Sequence, residues 1–246
     1  MRAVANKKET EEVVAQIKKH RAKNKKLIDD YSRLFYLSPH TWQMNKWMGY
    51  PILKFPNDLW IMQEALFESR PQLIIETGTA YGGSALFYAH MLDIIWGNDL
   101  ENGIVISIDI ENSTLNDDGE DWLPTHPRTT FITANSLDRN MLKQIKNVAS
   151  GYERVMVILD SCHTKQHVYT ELMLYSEFVT VDGLLLVEDT SISTWVKEGV
   201  FQRKDSGPSA AVSLFLKNND KFKAEAACER LLTTANVGGW LRRISA

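Results

Sequence analysis

Apolar positions recur in short unbroken runs through the middle of this chain, and the stretches between them follow a helical period. Leu73-Ile74-Ile75, Ile104 to Ile108, Thr130 to Thr133, Val155 to Leu159 and Leu184 to Val187 are the runs, rich in Ile, Val and Leu. Runs of this kind, separated by helical stretches, predict parallel strands buried on both faces. The strands are expected at 73–77, 104–110, 129–135, 155–160 and 183–189, with helices at 83–96, 138–149 and 164–178 between them. Further helices are expected at 58–69 and 209–219. Two last strands, 222–234 and 239–245, are expected to pair across a hairpin-type turn at Ala235 to Gly239.

Each central run ends in a polar residue: Glu76, Asp109, Asn135, Asp160 and the pair Glu188-Asp189. Ligands of open α/β sheets sit outside the carboxyl ends of the strands. Carboxylates are costly in that apolar setting unless they bind something. The repeated placement predicts a site for a polyhydroxylated cofactor and a cation. A mostly parallel sheet closed by an antiparallel hairpin is the shape of class I methyltransferases, as opposed to the six-stranded dinucleotide fold.

The flanks read differently. Residues 1–35 are highly charged, with only a loose apolar stripe of Val13, Val14, Ile17, Leu27, Ile28 and Tyr31. They predict a helix, with room for an interruption, packed on the main domain or on another subunit. Its lysines read as a solvated face rather than a nucleic-acid contact. Residues 36–60 carry Tyr36, Trp42, Trp47, Tyr50, Phe55 and Trp60 among three prolines, and predict an irregular segment covering part of the site.

Composition narrows the class. A chain of 246 residues, 44% hydrophobic, can bury one large core. A net charge of −3 offers no field for nucleic acid. Cys162 and Cys228 make no disulfide framework. Met1 to Glu12 has no apolar leader and no run is long enough to span a bilayer, so the expectation is a cytoplasmic protein away from membranes.

The chemistry is concentrated in three motifs. Glu76 to Ser84 (E-T-G-T-A-Y-G-G-S) joins the first central strand to its helix; glycines there admit a close backbone approach and the helix start offers free N–H groups. The spacing differs from G-x-G-x-x-G, and no Lys-Ser or Lys-Thr follows to make a P-loop. Asp109, ending the next strand, can accept hydrogen bonds from both hydroxyls of a ribose. These residues predict a nucleoside cofactor and leave NAD and S-adenosylmethionine both open. Asp160, Glu188 and Asp189 end strands that would be neighbours, and three converging carboxylates suit Mg²⁺, Mn²⁺ or Ca²⁺ over Zn²⁺. The competing reading turns Glu188 back into a helix cap or a salt bridge. His163, three residues past Asp160, is a general-base candidate beside such a site. His163 and His167 are four apart with Cys162 adjoining, but no H-E-x-x-H glutamate or second cysteine supports zinc.

Pro51 to Asp58 (P-I-L-K-F-P-N-D), the E-T-G-T-A-Y-G-G-S turn, D-S-C-H-T at 160–164, E-D-T at 188–190 and G-G-W-L-R-R-I at 238–244 resemble the cephalosporin hydroxylase family. Despite that name, its members look like Mg²⁺- and S-adenosylmethionine-dependent methyltransferases, related to cephamycin-pathway enzymes and to O-methyltransferases of macrolide sugars and rhamnosyl groups. The resemblance spans roughly residues 42 to 245. It implies a metal on Asp160, Glu188 and Asp189 and a base at His163. Stretch 191–206 departs from the N-G-x-P-type segment that many members carry after E-D-T, which leaves the acceptor open.

Together these readings predict a class I methyltransferase domain over 58–246 behind an N-terminal helical and irregular extension over 1–57. The expected reaction moves the methyl of S-adenosylmethionine to a hydroxyl of a sugar or another small natural product, in a chain expected to form a homo-oligomer. Glu76, Gly78, Ala80, Gly82 and Ser84 are expected to cradle the cofactor. Asp109 is expected on its ribose, Asn135-Ser136 near its adenine, and Asp160 between cofactor and metal. The rivals are a nicotinamide oxidoreductase, a non-catalytic cofactor-binding or assembly protein, and an RNA methyltransferase. Glycine spacing, the carboxylate set with His163, and the near-neutral charge argue against them in turn.

Overall fold

The computed structural model describes residues 7–111, 123–196 and 204–246. Asp117-Asp118-Gly119, which read in the sequence as a polar loop after the strand at 104–110, and residues 197–203 of the stretch after Glu188-Asp189, lie outside the described residues. Two helices come first, α1 (Lys7–Lys23) and α2 (Lys25–Leu37), so the expected N-terminal helix is interrupted at Asn24. A short 3-10 turn at Trp42–Met44 leads to a small antiparallel pair, β1 (Lys46–Trp47) and β2 (Tyr50–Pro51).

The body then alternates: α3 (Pro56–Ser69), β3 (Leu73–Thr77), α4 (Gly83–Trp96), β4 (Ile104–Asp109), β5 (Thr129–Thr133), α5 (Arg139–Ala149), β6 (Val155–Leu159), α6 (Lys165–Tyr175) and β7 (Leu184–Val187). It closes with α7 (Ile192–Trp195), α8 (Pro208–Asn218), β8 (Phe222–Ala224) and β9 (Trp240–Arg243). The larger sheet has the order β5-β4-β3-β6-β7-β9-β8, parallel from β5 to β7 and antiparallel at β7-β9 and β9-β8. The chain reverses its direction of travel across the sheet between β3 and β6, which puts the crevice for a ligand at the carboxyl ends of those two strands.

Alternation of side chains explains why the central runs are unbroken in hydrophobicity. Leu73, Ile75, Val155, Val157 and Leu159 face α5, α6 and α8 on one side. Ile74, Met156, Ile158 and Leu186 face α3 and α4 on the other. A strand covered by helices on both faces has no position left for a polar residue until its end. Two helix starts are fixed by side chains: Asp138 Oδ1 accepts from the backbone N–H groups of Asn140 and Met141 at 2.9 and 2.8 Å, and Thr164 Oγ1 accepts from that of His167 at 3.4 Å.

The closing strands differ from the sequence expectation. They pair as expected, but β8 stops at Ala224 and residues 225–239 join it to β9 in place of a tight turn at 235–239. A 3-10 turn at Ala226–Glu229 takes the chain off the sheet; Cys228 and Leu231 then pack against the core beside α3 and α4. Arg21 of α1 binds this segment, donating to the Leu232 carbonyl at 2.9 Å and lying 3.3 Å from the Glu229 carboxylate. The aromatic segment folds back over the body: Phe35, Tyr36 and Trp42 pack on Phe55, Trp195 and Ala235.

Candidate active site

The strand ends open into one cavity of about 650 Å³. Gly78, Ala80, Asp109, Asn135, Ser136, Asp160, His163 and Asp189 all line it, with Tyr36, Trp42, Leu53 and Ile192 forming its roof. Residues scattered over more than a hundred positions therefore share one wall. Glu76, Gly82 and Ser84 do not line it. Gly82 is the left-handed cap of α4, φ 70°. Ser84 is buried, and Glu76 is fully enclosed beneath the cavity floor, where Ser107 Oγ donates to its Oε2 at 2.6 Å and its Oε1 finds no partner.

The glycine turn has a steric reason at one position. Gly78 has φ 90°, and a Cβ there would lie 2.0 Å from the carbonyl oxygen of Asp160. Only glycine lets the first strand's exit cross the fourth parallel strand so closely. Ala80 follows in a left-handed conformation, φ 45°, with its N–H donating to Asp109 Oδ2 at 3.0 Å. The glycine turn and the expected ribose carboxylate are thus tied together.

Asp160, His163 and Asp189 each bring a ligand atom within 4.8 Å of the others. His163 Nε2 is 3.4 Å from Asp189 Oδ2. Burial pushes the Asp189 carboxyl above its ordinary range; His163 opposes that rise and Asp160 adds to it. Tyr36 beside it is pushed up to about 12, by burial and then by Asp189. Close carboxylates in a shielded pocket are the setting in which a hard cation is stabilising. No second metal-type cluster of at least three such residues occurs among the described residues.

Glu188 is placed differently from the expectation that it would stand beside the other two carboxylates. Its carboxylate turns inward to Lys54, whose Nζ lies 2.5 Å from Oε1, out of line for a hydrogen bond, and 2.9 Å from Asp160 Oδ2. The competing salt-bridge reading of Glu188 is what the geometry displays. Burial would lower the Lys54 ammonium, but Asp160 and Glu188 outweigh it and hold it well above the usual lysine range. Lys54 was invisible as a site residue in the sequence except as a letter of P-I-L-K-F-P-N-D. Only the fold of 46–54 carries it to the strand ends.

His167 faces away from this cluster. Its Nε2 is 3.2 Å from both Ser136 Oγ and Ser161 Oγ and 3.3 Å from Glu171 Oε1, so it lines the cavity on the Asn135-Ser136 side within a part-buried network. His163 converges with Asp160 and Asp189, and His167 stands outside that cluster.

Two enclosed carboxyls give this site a pH signature. Burial pushes Glu76 up to about 7, against the pull of Lys54, Ser107 and Ser84, and Asp58 to about 6, against its bonds to Thr234 and Ala235. Between their unfolded and folded values the native state binds more protons than the unfolded one, so stability falls as pH rises through that window. Ligand-free protein should melt higher at pH 5.5 than at pH 8, by roughly 5 °C, in scanning calorimetry. An equal or lower melting temperature at pH 5.5 would show that these carboxyls are ionised in the fold.

The strand order, with β3 and β6 at the switch point and an antiparallel closing pair, defines a class I methyltransferase fold. The sequence profile described as Rhamnosyl O-methyltransferase/CmcI matches residues 39–244, and the chain belongs to that family. It is 31% identical to a rhamnosyl O-methyltransferase of Mycobacterium leprae over 190 residues, 77% of each chain. It is 30% identical to one of Mycobacterium bovis over 168 residues, 68% of this chain and 65% of that one. A solved CmcI structure with Mg and SAM superposes with a TM-score of 0.57 at 18% identity, over 86% of this chain and 84% of that one. An O-methyltransferase from Bacillus cereus in complex with SAH gives 0.51 at 14%, over 87% and 82%.

Proposed function

We infer that this protein is a metal-dependent S-adenosylmethionine O-methyltransferase whose acceptor is a hydroxyl of a sugar or another small natural product. The observation that carries this reading is the single cavity in which a glycine turn tied to Asp109 faces Asp160, Asp189 and His163. The rhamnosyl activity of the mycobacterial relatives supports a sugar hydroxyl as the acceptor.

Gly78 and Ala80 would bring their backbone against the amino-acid end of the cofactor, Asp109 would accept from its ribose, and Asn135-Ser136 would border its adenine. Glu76 shapes the turn from below, while Gly82 and Ser84 fix the start of α4. Asp160 and Asp189 are the oxygen donors placed to hold Mg²⁺ or Mn²⁺, and Glu188 would join them only by leaving its ion pair with Lys54. When bound, such a cation supplies Lewis acidity that lowers the pKa of an acceptor hydroxyl. His163 would take that proton on its imidazole, and Asp189, 3.4 Å from Nε2, would stabilise the imidazolium. Tyr36, Trp42, Leu53 and Ile192 close the cavity roof, where they would exclude water and pack on the acceptor. Tyr36, Trp42 and Leu53 would thus make the segment before α3 part of the acceptor wall. A homo-oligomer is favoured by the apolar residues Leu27, Tyr31, Leu34 and Leu37 exposed along α2. Among the described residues no helix is long and apolar enough to cross a membrane.

Calorimetry tests the cofactor half. S-adenosylmethionine should bind and NAD should not, and Asp109→Ala should weaken binding at least tenfold, since hydrogen bonds to a charged partner are worth roughly 1.5–3 kcal/mol each. Binding of NAD alone, or an affinity untouched by Asp109→Ala, would overturn the assignment.

A further inference from the structure

Parts of three sequence motifs lie outside the cavity wall: Asp58 at the end of P-I-L-K-F-P-N-D, Thr190 after Glu188-Asp189, and Gly238-Gly239 before Trp240. The fold stacks all of them behind Asp189. Asp58, 5% exposed, accepts from the backbone N–H of Ala235 at 2.9 Å and from the Thr234 hydroxyl. Thr234 Oγ1 in turn accepts from Asn236 N–H at 2.9 Å. Asn236, 1% exposed, presents Oδ1 to the N–H of Asp189 at 2.8 Å.

The same strap, residues 234–239, grips the chain on both sides of Asp189. Ser191 N–H donates to the Ala235 carbonyl at 2.9 Å, Thr190 Oγ1 to that of Val237 at 2.8 Å, and Val187 N–H to that of Gly239 at 2.9 Å. A Cβ at Gly239 would lie 2.1 Å from the Val187 carbonyl oxygen, so the strap lies flush on the end of β7 only because glycine is there. This grip has a local cause. Asp189 has φ 56°, a left-handed conformation uncommon outside glycine, though aspartate tolerates it better than most residues. The Asn236 acceptor holds the Asp189 N–H in this conformation. Asp58 has no cation in direct contact among the ion pairs of the described residues, so the enclosed carboxyl is kept at a cost that a strap of no consequence would not justify.

We propose that Asp58, Thr234 and Asn236 are positioning residues that, through the strap, set the Asp189 side chain against Asp160 and His163 and so fix the geometry of the cation seat. This rests on the reading of Asp189 as a metal ligand. It assigns to α3 and the strap a part in metal affinity that contact with the cavity alone does not reveal.

The test uses the full chain saturated with S-adenosylmethionine, titrated calorimetrically with Mg²⁺ and Mn²⁺. Asn236→Ala and Asp58→Ala should each raise the metal Kd about tenfold or more, while the cofactor Kd changes less than twofold. Asp58→Asn, which keeps an oxygen for Ala235 N–H, should stay within about threefold of the parent. Amide exchange supplies a readout free of metal: Asp58→Ala should speed exchange at Asp189 while the amides of β3 keep their protection. A metal Kd unmoved in folded Asn236→Ala would overturn the relay; so would metal and cofactor affinities falling together. If Asn236→Ala does not fold, Thr234→Val takes its place with the same expected split. Absence of cation binding in the parent protein would instead remove the ligand reading of Asp189, and Asp189 exchange would then decide the relay alone.

Discussion

His163→Ala should lower the turnover number by about 10²–10⁴-fold, the usual worth of a positioned general base, while metal and cofactor affinities stay nearly unchanged. The ring stands at the start of α6 because Thr164 caps that helix, and its Nε2 lies 3.4 Å from Asp189 Oδ2. Raising the pH should partly restore the variant, since an ionised acceptor no longer needs the base. The measurement is methyl transfer from labelled S-adenosylmethionine to hydroxylated acceptors, with metal affinity followed in parallel. His163 is also one of the three residues whose ligand atoms converge within 4.8 Å. Loss of metal in His163→Ala would make it a ligand, and near-normal turnover would leave it a helix-start residue with no part in proton transfer.

Chelation should abolish activity, by at least about 10²-fold given the several kcal/mol that a Lewis acid contributes, and Mg²⁺ or Mn²⁺ should restore it. Asp160→Ala should weaken metal binding and be partly rescued by excess Mg²⁺. That substitution also removes one of the two carboxylates facing the Lys54 ammonium, which sits 2.9 Å from Asp160 and 2.5 Å from Glu188. Breaking one arm of a buried ion pair is strongly destabilising, so the melting temperature should fall alongside metal affinity. Full turnover by protein shown to be metal-free would remove the cation from the mechanism.

Much of this architecture is legible in local sequence because buried parallel strands leave a strong imprint. Five apolar runs with a polar residue at each end are the one-dimensional trace of a sheet covered on both faces. The helices between them start at residues that cap, such as Asp138 and Thr164. The last strand pair was less legible. Leu231 and Leu232 extend an apolar pattern that reads as strand, yet that segment leaves the sheet and takes partners from α1 and the core, contacts that no local period encodes.

The site divides in the same way. The sequence alone determined which carboxylates stand at strand ends, because strand polarity puts them there, and that Gly78 opens the turn after the first central strand, because glycine admits a close backbone approach there. Tertiary structure alone decided their partners. Lys54 reaches Asp160 and Glu188 only after the segment before α3 folds over the strand ends, which turns Glu188 from the open cavity into an ion pair. Asp58 and Asn236 are linked through Thr234 behind Asp189 only because β9 lies beside β7. Charges and hydrogen bonds act over a few ångströms in space whatever their separation along the chain, so their pairing is fixed by the packing of the elements and not by the spacing of the residues.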